Sequence, residues 1–158
     1  MRRALASRRA RLLFPLLVVA ALTAGCFPTG GQGAPGGING QLFDLLNADR
    51  AAHGLPAVQW DGQLGGLAQD WSQNMGTTGQ FRHRNLNEVL GRPGYTHYRR
   101  LGENILVGAC NLSAQEVERA WMNSPGHRAN ILGNFNAVGI GTACINGRLW
   151  ATQNFGLR

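Results

Sequence analysis

Ala137-Val138-Gly139-Ile140-Gly141-Thr142-Ala143-Cys144-Ile145, then Asn146-Gly147, then Arg148-Leu149-Trp150-Ala151-Thr152-Gln153-Asn154-Phe155, reads as a β-hairpin. Asn-Gly suits the positive backbone angles that a tight two-residue turn demands. Two strands are therefore predicted, 137–145 and 148–155. Along the first, Val138, Ile140 and Thr142 share one face, while Gly139, Gly141 and Ala143 share the other. A strand face bearing nothing larger than a methyl group leaves room for a closely packed helix or a cavity floor.

Upstream of the hairpin the pattern turns helical. Ile38, Leu42, Leu45 and Leu46 fall at helical spacing, which predicts a first helix to about Ala52. Gly54 ends it and Pro56 prevents its return. Asp61 can cap a second helix, whose buried face is marked by Leu64, Leu67, Ala68, Trp71 and Met75. Residues 77–100 read as polar and irregular, and 105–107 as a short strand. Ser113 can cap a third helix, with Ala114, Val117, Ala120 and Trp121 on one face. Ser124-Pro125-Gly126 breaks it, and a helical turn follows through His127 to Leu132. Helices first, then strands with a helix between them, read as α+β in layers. Trp60, Trp71, Trp121 and Trp150 are expected in the core.

The chain of 158 residues is long enough for one domain with a real core, and it carries no internal repeat. Its first 25 residues are read apart from that domain. Arg2, Arg3, Arg8, Arg9 and Arg11 form a basic stretch, and an apolar run of only eleven residues, 12–22, follows. That is too short to span a bilayer comfortably, so residues 1–25 read as a signal peptide. Leu22-Thr23-Ala24-Gly25-Cys26 is similar to a bacterial lipobox, with Thr23 where Leu is commoner. Cys26 is thus the expected lipidation site and mature N-terminus. Ser7-Arg8-Arg9 hints at twin-arginine export, but Arg11 stands where such signals carry an apolar residue, so the route stays open. Residues 26–37, rich in Gly and Pro, read as a tether, and 38–158 as the folded domain.

The formal charge of +7 mostly describes the leader. Without it, ten basic residues face eight acidic ones, a net of +2, and this gives no argument for nucleic acid. All fifteen basic residues are Arg. With Cys26 lipidated, Cys110 and Cys144 remain. A disulfide between them is expected outside the cytoplasm, the alternative being two buried thiols. There is no C-x-x-C to suggest a cysteine metal site.

Three stretches carry the candidate chemistry: Phe81-Arg82-His83, Gly102-Glu103-Asn104-Ile105, and Ser124-Pro125-Gly126-His127-Arg128-Ala129-Asn130-Ile131-Leu132. With Asn47-Ala48-Asp49-Arg50, Gly54-Leu55-Pro56, Trp60-Asp61, Ala120-Trp121-Met122-Asn123 and Thr152-Gln153-Asn154-Phe155-Gly156, and in this order, the chain resembles the CAP superfamily, or SCP domain. That family holds cysteine-rich secretory, antigen 5 and plant pathogenesis-related class 1 proteins, and this chain resembles a bacterial lipoprotein member. The resemblance covers nearly all of 38–156 and implies a three-layer α-β-α sandwich.

It also implies a cavity tetrad of two His and two Glu. His83 matches the first His, Glu103 the first Glu and His127 the second His; where the second Glu is usual stands Ser124. Glu118 is no clear replacement, since it lies on the flank of the apolar face and not in the breaker loop. Two neutral imidazoles can hold a divalent metal such as zinc, with Glu103 either completing the shell or orienting one ring. No other cofactor is expected. Without metal, His and Glu can still act as base and orienter, which leaves His83, Glu103 and His127 as candidate catalytic groups. A Ser124–His127 nucleophile is the weaker reading, because Ser before Pro-Gly usually serves the turn. Sequence spacing alone contains no metal motif.

His53 falls at a helix end, where a cation suits the dipole. His97 lies in a loop with Tyr95, Tyr98, Arg99 and Arg100, read as solvated. Asn104, Arg128 and Asn130 are expected to bond backbone around the cleft, with Gln153 and Asn154 in a similar role. The family is known for binding sterols and lipids without turnover. The expectation is an extracytoplasmic monomer, lipid-anchored to the cell membrane or secreted, that binds an envelope lipid, glycan or protein. A metal-dependent hydrolase of envelope or peptide substrates is the alternative, and a purely structural lipoprotein the third reading.

Overall fold

The computed structural model describes residues 36–158. The leader, Cys26 and all but the last two residues of the tether lie outside the described residues.

Among the described residues five helices and four strands follow one another: α1 (Gly37–Ala52), β1 (Gln59–Trp60), α2 (Gly62–Thr78), α3 (Leu86–Leu90), β2 (Arg100–Ala109), α4 (Ala114–Asn123), α5 (Pro125–Ile131), β3 (Ala137–Ile145) and β4 (Arg148–Leu157). The sheet order is β1-β3-β4-β2. β3 and β4 form the predicted hairpin, with Asn146 and Gly147 both at positive φ in the turn. β2 lies antiparallel to β4, and the two residues of β1 run parallel to β3.

The register sorts side chains onto two faces. On one, Val138, Ile140, Ala151 and Phe155 meet Leu42 and Leu46 of α1 and Val117 and Trp121 of α4, forming the larger core. α2 covers the other. There a Cβ built on Gly139 would stand 1.9 Å from the backbone N of Gly65, and one on Gly141 would stand 2.2 Å from that of Gln69. The predicted bare strand face therefore seats a helix against backbone. The contact is closed by polar bonds as well as by van der Waals contact. Ser72 Oγ donates to the Gly141 carbonyl, and the Gln69 amide exchanges two hydrogen bonds with Thr142 backbone. Helices thus cover both faces of the sheet, the layered α+β sandwich expected.

Local signals placed most helix ends. Asp61 accepts from the backbone N–H groups of Gln63 and Leu64, and Ser113 and Glu116 form a capping box. Pro125 begins α5 directly after Ser124, which makes no side-chain cap and serves as the break between helices.

Four readings need correction. β2 spans ten residues, not three, because pairing with β4 extends the strand through Gly102 and Glu103, which lack strand propensity of their own. The stretch 77–100 contains the end of α2 and the short α3. The loop around His97 is pinned: Tyr98 is buried and its hydroxyl donates to the Asp61 carboxylate, which Arg158 also meets. His97 itself is exposed and packs on the Tyr98 ring. Ala120 is exposed and leaves the apolar face of α4, whereas Glu118 is buried in it.

Both edges of the sheet are occupied by side chains. Beyond β2, Trp121 Nε1 donates to the Ile105 carbonyl and Asn130 Nδ2 to the Glu103 carbonyl. Beside β1, the Asn47 amide exchanges both hydrogen bonds with the N–H and C=O of Val58. Buried backbone groups on edge strands require such partners.

Cys110, just past β2, is joined to Cys144 on β3 with Cα atoms 5.5 Å apart. The bond ties β2 to β3 with β4 lying between them. Replacing both cysteines by Ser should lower the unfolding free energy by roughly 3–4 kcal/mol in the chain-entropy account. A urea midpoint left unchanged by the double substitution would count against that figure.

Candidate functional site

The three predicted stretches meet at the edge strand β2. His83 lies in the extended segment between α2 and α3, on the α2 side of the sheet. Glu103 projects to that same side, since its register partner Asn154 pairs with Gly139, whose Cβ direction meets α2. His127 comes from α5, whose backbone is held to the strand by Asn104 Nδ2 donating to the His127 carbonyl.

His83 Nδ1 is 2.9 Å from Glu103 Oε1. The pair is half in and half out: the imidazole side chain is 58% exposed and the carboxylate only 2%. The Arg84 N–H donates to the same Oε1 at 2.9 Å. Burial pushes the Glu103 carboxyl above its ordinary value, and the Arg84 N–H and His83 pull part of the way back. Its second oxygen, Oε2, is buried without a partner, as are both polar side-chain atoms of its cross-strand neighbour Asn154. His127 is drawn below the ordinary imidazole value by burial first and by the nearby His83 second, which places the two rings within electrostatic reach.

Glu103 fixes the orientation of His83 and leaves its Nε2 directed away from the carboxylate, the arrangement in which a carboxylate orients a histidine. A closed metal centre asks for more. Among the described residues no three His, Cys, Asp or Glu side chains gather as a group able to hold a metal ion. The residues present therefore do not fit a full zinc coordination set, and His83 and His127 are the two imidazoles that remain available to a ligand.

Glu118 lies elsewhere. It is buried on α4, on the opposite face of the sheet from Glu103, and ends a chain of amides. Asn130 Nδ2 donates to Asn104 Oδ1, Asn104 Nδ2 to Gln153 Oε1, and Gln153 Nε2 to Glu118 Oε2. Asn104 and Asn130 thus bond backbone as expected, and also bond each other. Gln153 takes its part in this chain through side chains. Arg128 does not join the cleft: its guanidinium donates to His53 Nε2, while His53 Nδ1 meets the Asp49 carbonyl at the end of α1. Arg50, quoted above only as part of a motif, is buried, and donates to the carbonyls of Pro56, Ile131, Gly133 and Phe135. It fixes the loop after α5, and so the helix that carries His127. Nothing in its own spacing marks that role, because three of the four carbonyls lie more than eighty residues away along the chain.

Known proteins show the same architecture. The Bacillus subtilis protein YkwD is 36% identical over 124 residues, which make up 73% of this chain and 46% of that protein. An extracellular protein containing a SCP domain from Bacillus anthracis matches with a TM-score of 0.63 at 33% identity, over 75% of this chain and 39% of that chain. This chain therefore spans less than half the length of either. An outer surface protein of Borrelia burgdorferi, 17% identical, shares the fold with a TM-score of 0.67 over 75% of this chain and 90% of that one. The model of the cysteine-rich secretory protein family, CAP, matches residues 43–155. With the layered sheet, the edge-strand Glu103 and the two flanking histidines in place, the chain belongs to the cysteine-rich secretory protein family.

Proposed function

We propose that this protein is an exported, lipid-anchored binding module that engages a ligand of the cell envelope at the His83–Glu103–His127 cleft. The observation that carries the reading is the half-exposed His83 held by a buried carboxylate, with a second imidazole nearby. That arrangement presents a fixed donor or acceptor nitrogen to an incoming group at the sheet edge. It offers no second carboxylate for general acid work, since Glu118 is enclosed on the other face. The disulfide suits an oxidising compartment. The similar B. anthracis protein is extracellular. The leader and Cys26 supply the route outward and the anchor.

The test pairs binding with metal titration on the full chain in non-ionic detergent. His83→Gln with His127→Ala keeps a hydrogen-bonding group beside Glu103 and removes both imidazoles. Saturable binding to vesicles of envelope lipid extract, or to soluble envelope glycan, is expected to weaken at least tenfold in this variant, with unchanged circular dichroism. Equal binding by both forms would remove the cleft from the proposal. Tight one-site zinc binding by calorimetry, abolished in the variant and accompanied by turnover, would instead favour the metal-dependent hydrolase.

A further inference from the structure

A second site lies beside the cleft and is built from arginine. An open pocket of about 400 Å³ is lined by Trp71, Arg82, Arg84 and Arg92, with Asp70 and Glu88 also in its wall. His83, Glu103 and His127 do not line it. The guanidinium carbons of Arg82 and Arg84 lie 5.0 and 4.7 Å from the centre of the Trp71 ring. Trp71 in turn donates its indole N–H to the Arg82 carbonyl. One aromatic plate thus holds two cations and the loop that bears them, so the ordering cost of a charged site is met before any ligand arrives.

The donors in this pocket are underused. None of the three arginines forms a salt bridge among the described residues, although two carboxylates share the wall. Glu88 is instead engaged by the Asn85 amide. Arg84 Nε is buried without a partner, and burial draws the Arg84 guanidinium below its ordinary value, with the charge of Glu103 offsetting part of this and that of Arg92 adding to it. Three guanidinium groups that outnumber the two carboxylates of the wall and pair with neither are the arrangement that tetrahedral oxyanions satisfy, because the planar fork matches two oxygens at once.

We infer that the Trp71–Arg82–Arg84–Arg92 pocket is a binding site for a phosphoryl group carried on a hydroxylated ligand. The guanidinium groups take the phosphoryl oxygens, and Asp70 and Glu88 accept from the hydroxyls of the carrier. This goes beyond the His–Glu cleft and stands whether or not that cleft binds anything.

The test uses the full chain in non-ionic detergent with inorganic phosphate and glycerol phosphate as soluble probes, and vesicles of phosphatidylglycerol against phosphatidylcholine as the membrane probe. Arg82→Gln with Arg92→Gln removes two guanidiniums that make no backbone bonds, and leaves Arg84 with its hold on the Leu67 carbonyl. Arg119→Gln, on the exposed face of α4, is the charge control. Saturable calorimetric binding of glycerol phosphate is expected, weakened at least tenfold by the double substitution and little changed by the control. Phosphatidylglycerol vesicles that also bind, with the same dependence on Arg82 and Arg92, would identify a lipid headgroup as the source. Binding of the soluble probes alone would identify a free phosphorylated compound. No saturable binding to any probe, or equal weakening by Arg119→Gln, would overturn the inference.

Discussion

Gly139→Ala should prevent stable folding. The added methyl would meet the N of Gly65 at 1.9 Å and the carbonyl carbon of Leu64 at 2.2 Å, both backbone atoms of α2. Neither can swing away as a side chain would. Relief requires lifting α2 from β3, which re-exposes Leu64, Leu67 and Ala68, all now buried. Burial of a large apolar side chain stabilises by about 1.5–3 kcal/mol, so the combined loss is about 5 kcal/mol or more, comparable to the whole stability of many domains. Gly66→Ala is the paired control. Gly66 is exposed on the same helix, and its added Cβ meets nothing within 4 Å. There the helix gains about 0.5–1 kcal/mol from the lower conformational freedom of Ala. Urea unfolding of the two variants should show opposite signs. A Gly139→Ala protein with a wild-type midpoint would mean that the helix does not sit against this strand.

Glu118 sets the second large effect, a dependence on pH. Its carboxyl is pushed up to about 8 by burial and by the charge of Asp49 on α1, with the Gln153 amide pulling back. In the unfolded chain it returns to the ordinary 4.5. Between those values the folded protein holds a proton that the unfolded chain has released, so stability falls as pH rises. The loss begins near pH 4.5 and is complete just above pH 8. At about 1.4 kcal/mol for each pH unit it amounts to roughly 3–5 kcal/mol. Glu118→Gln keeps an oxygen to accept from Gln153 and cannot ionise. It should match the wild type near pH 5 and exceed it by roughly 3–5 kcal/mol near pH 9. Denaturation midpoints at pH 5, 7 and 9 would show the two forms diverging, whereas parallel curves would dismiss Glu118 as the titrating group.

The contrast between these two residues shows what a single sequence yields. Gly139 and Gly141 are readable because strand alternation is local: two glycines on one face announce a close neighbour, and α2 is that neighbour. The capping groups Asp61 and Ser113 are readable for the same reason, since each acts within three residues. Glu118 is harder. On its helix it borders the apolar stripe, and only the return of β4 with Gln153 encloses it. The extent of β2 is likewise set by its neighbour, because Arg100–Gly102 gains its strand geometry from Gly156 and Leu157 more than fifty residues later. Arg84 and Arg92 carry no helical or strand signal, and they converge only because α3 folds back beside Trp71. The candidate cleft was legible as a set of three residues through the family resemblance. The pairing of Glu103 with His83, and not with His127, is a product of sheet register and of the path taken after α2.

The side chains that close the sheet edges bear on how this protein behaves when crowded. An extended segment from another copy seeks a row of open carbonyl and amide groups to extend. Along β2 it meets Trp121 and Asn130 already seated on the outward carbonyls of Ile105 and Glu103. At the far side β1 offers only two residues, and the Asn47 amide occupies the adjoining Val58 in the manner of a one-residue strand. Trp121, Asn130 and Asn47 thus withdraw from each border part of the row that a neighbouring strand would extend, so three ordinary side chains act against growth by strand addition.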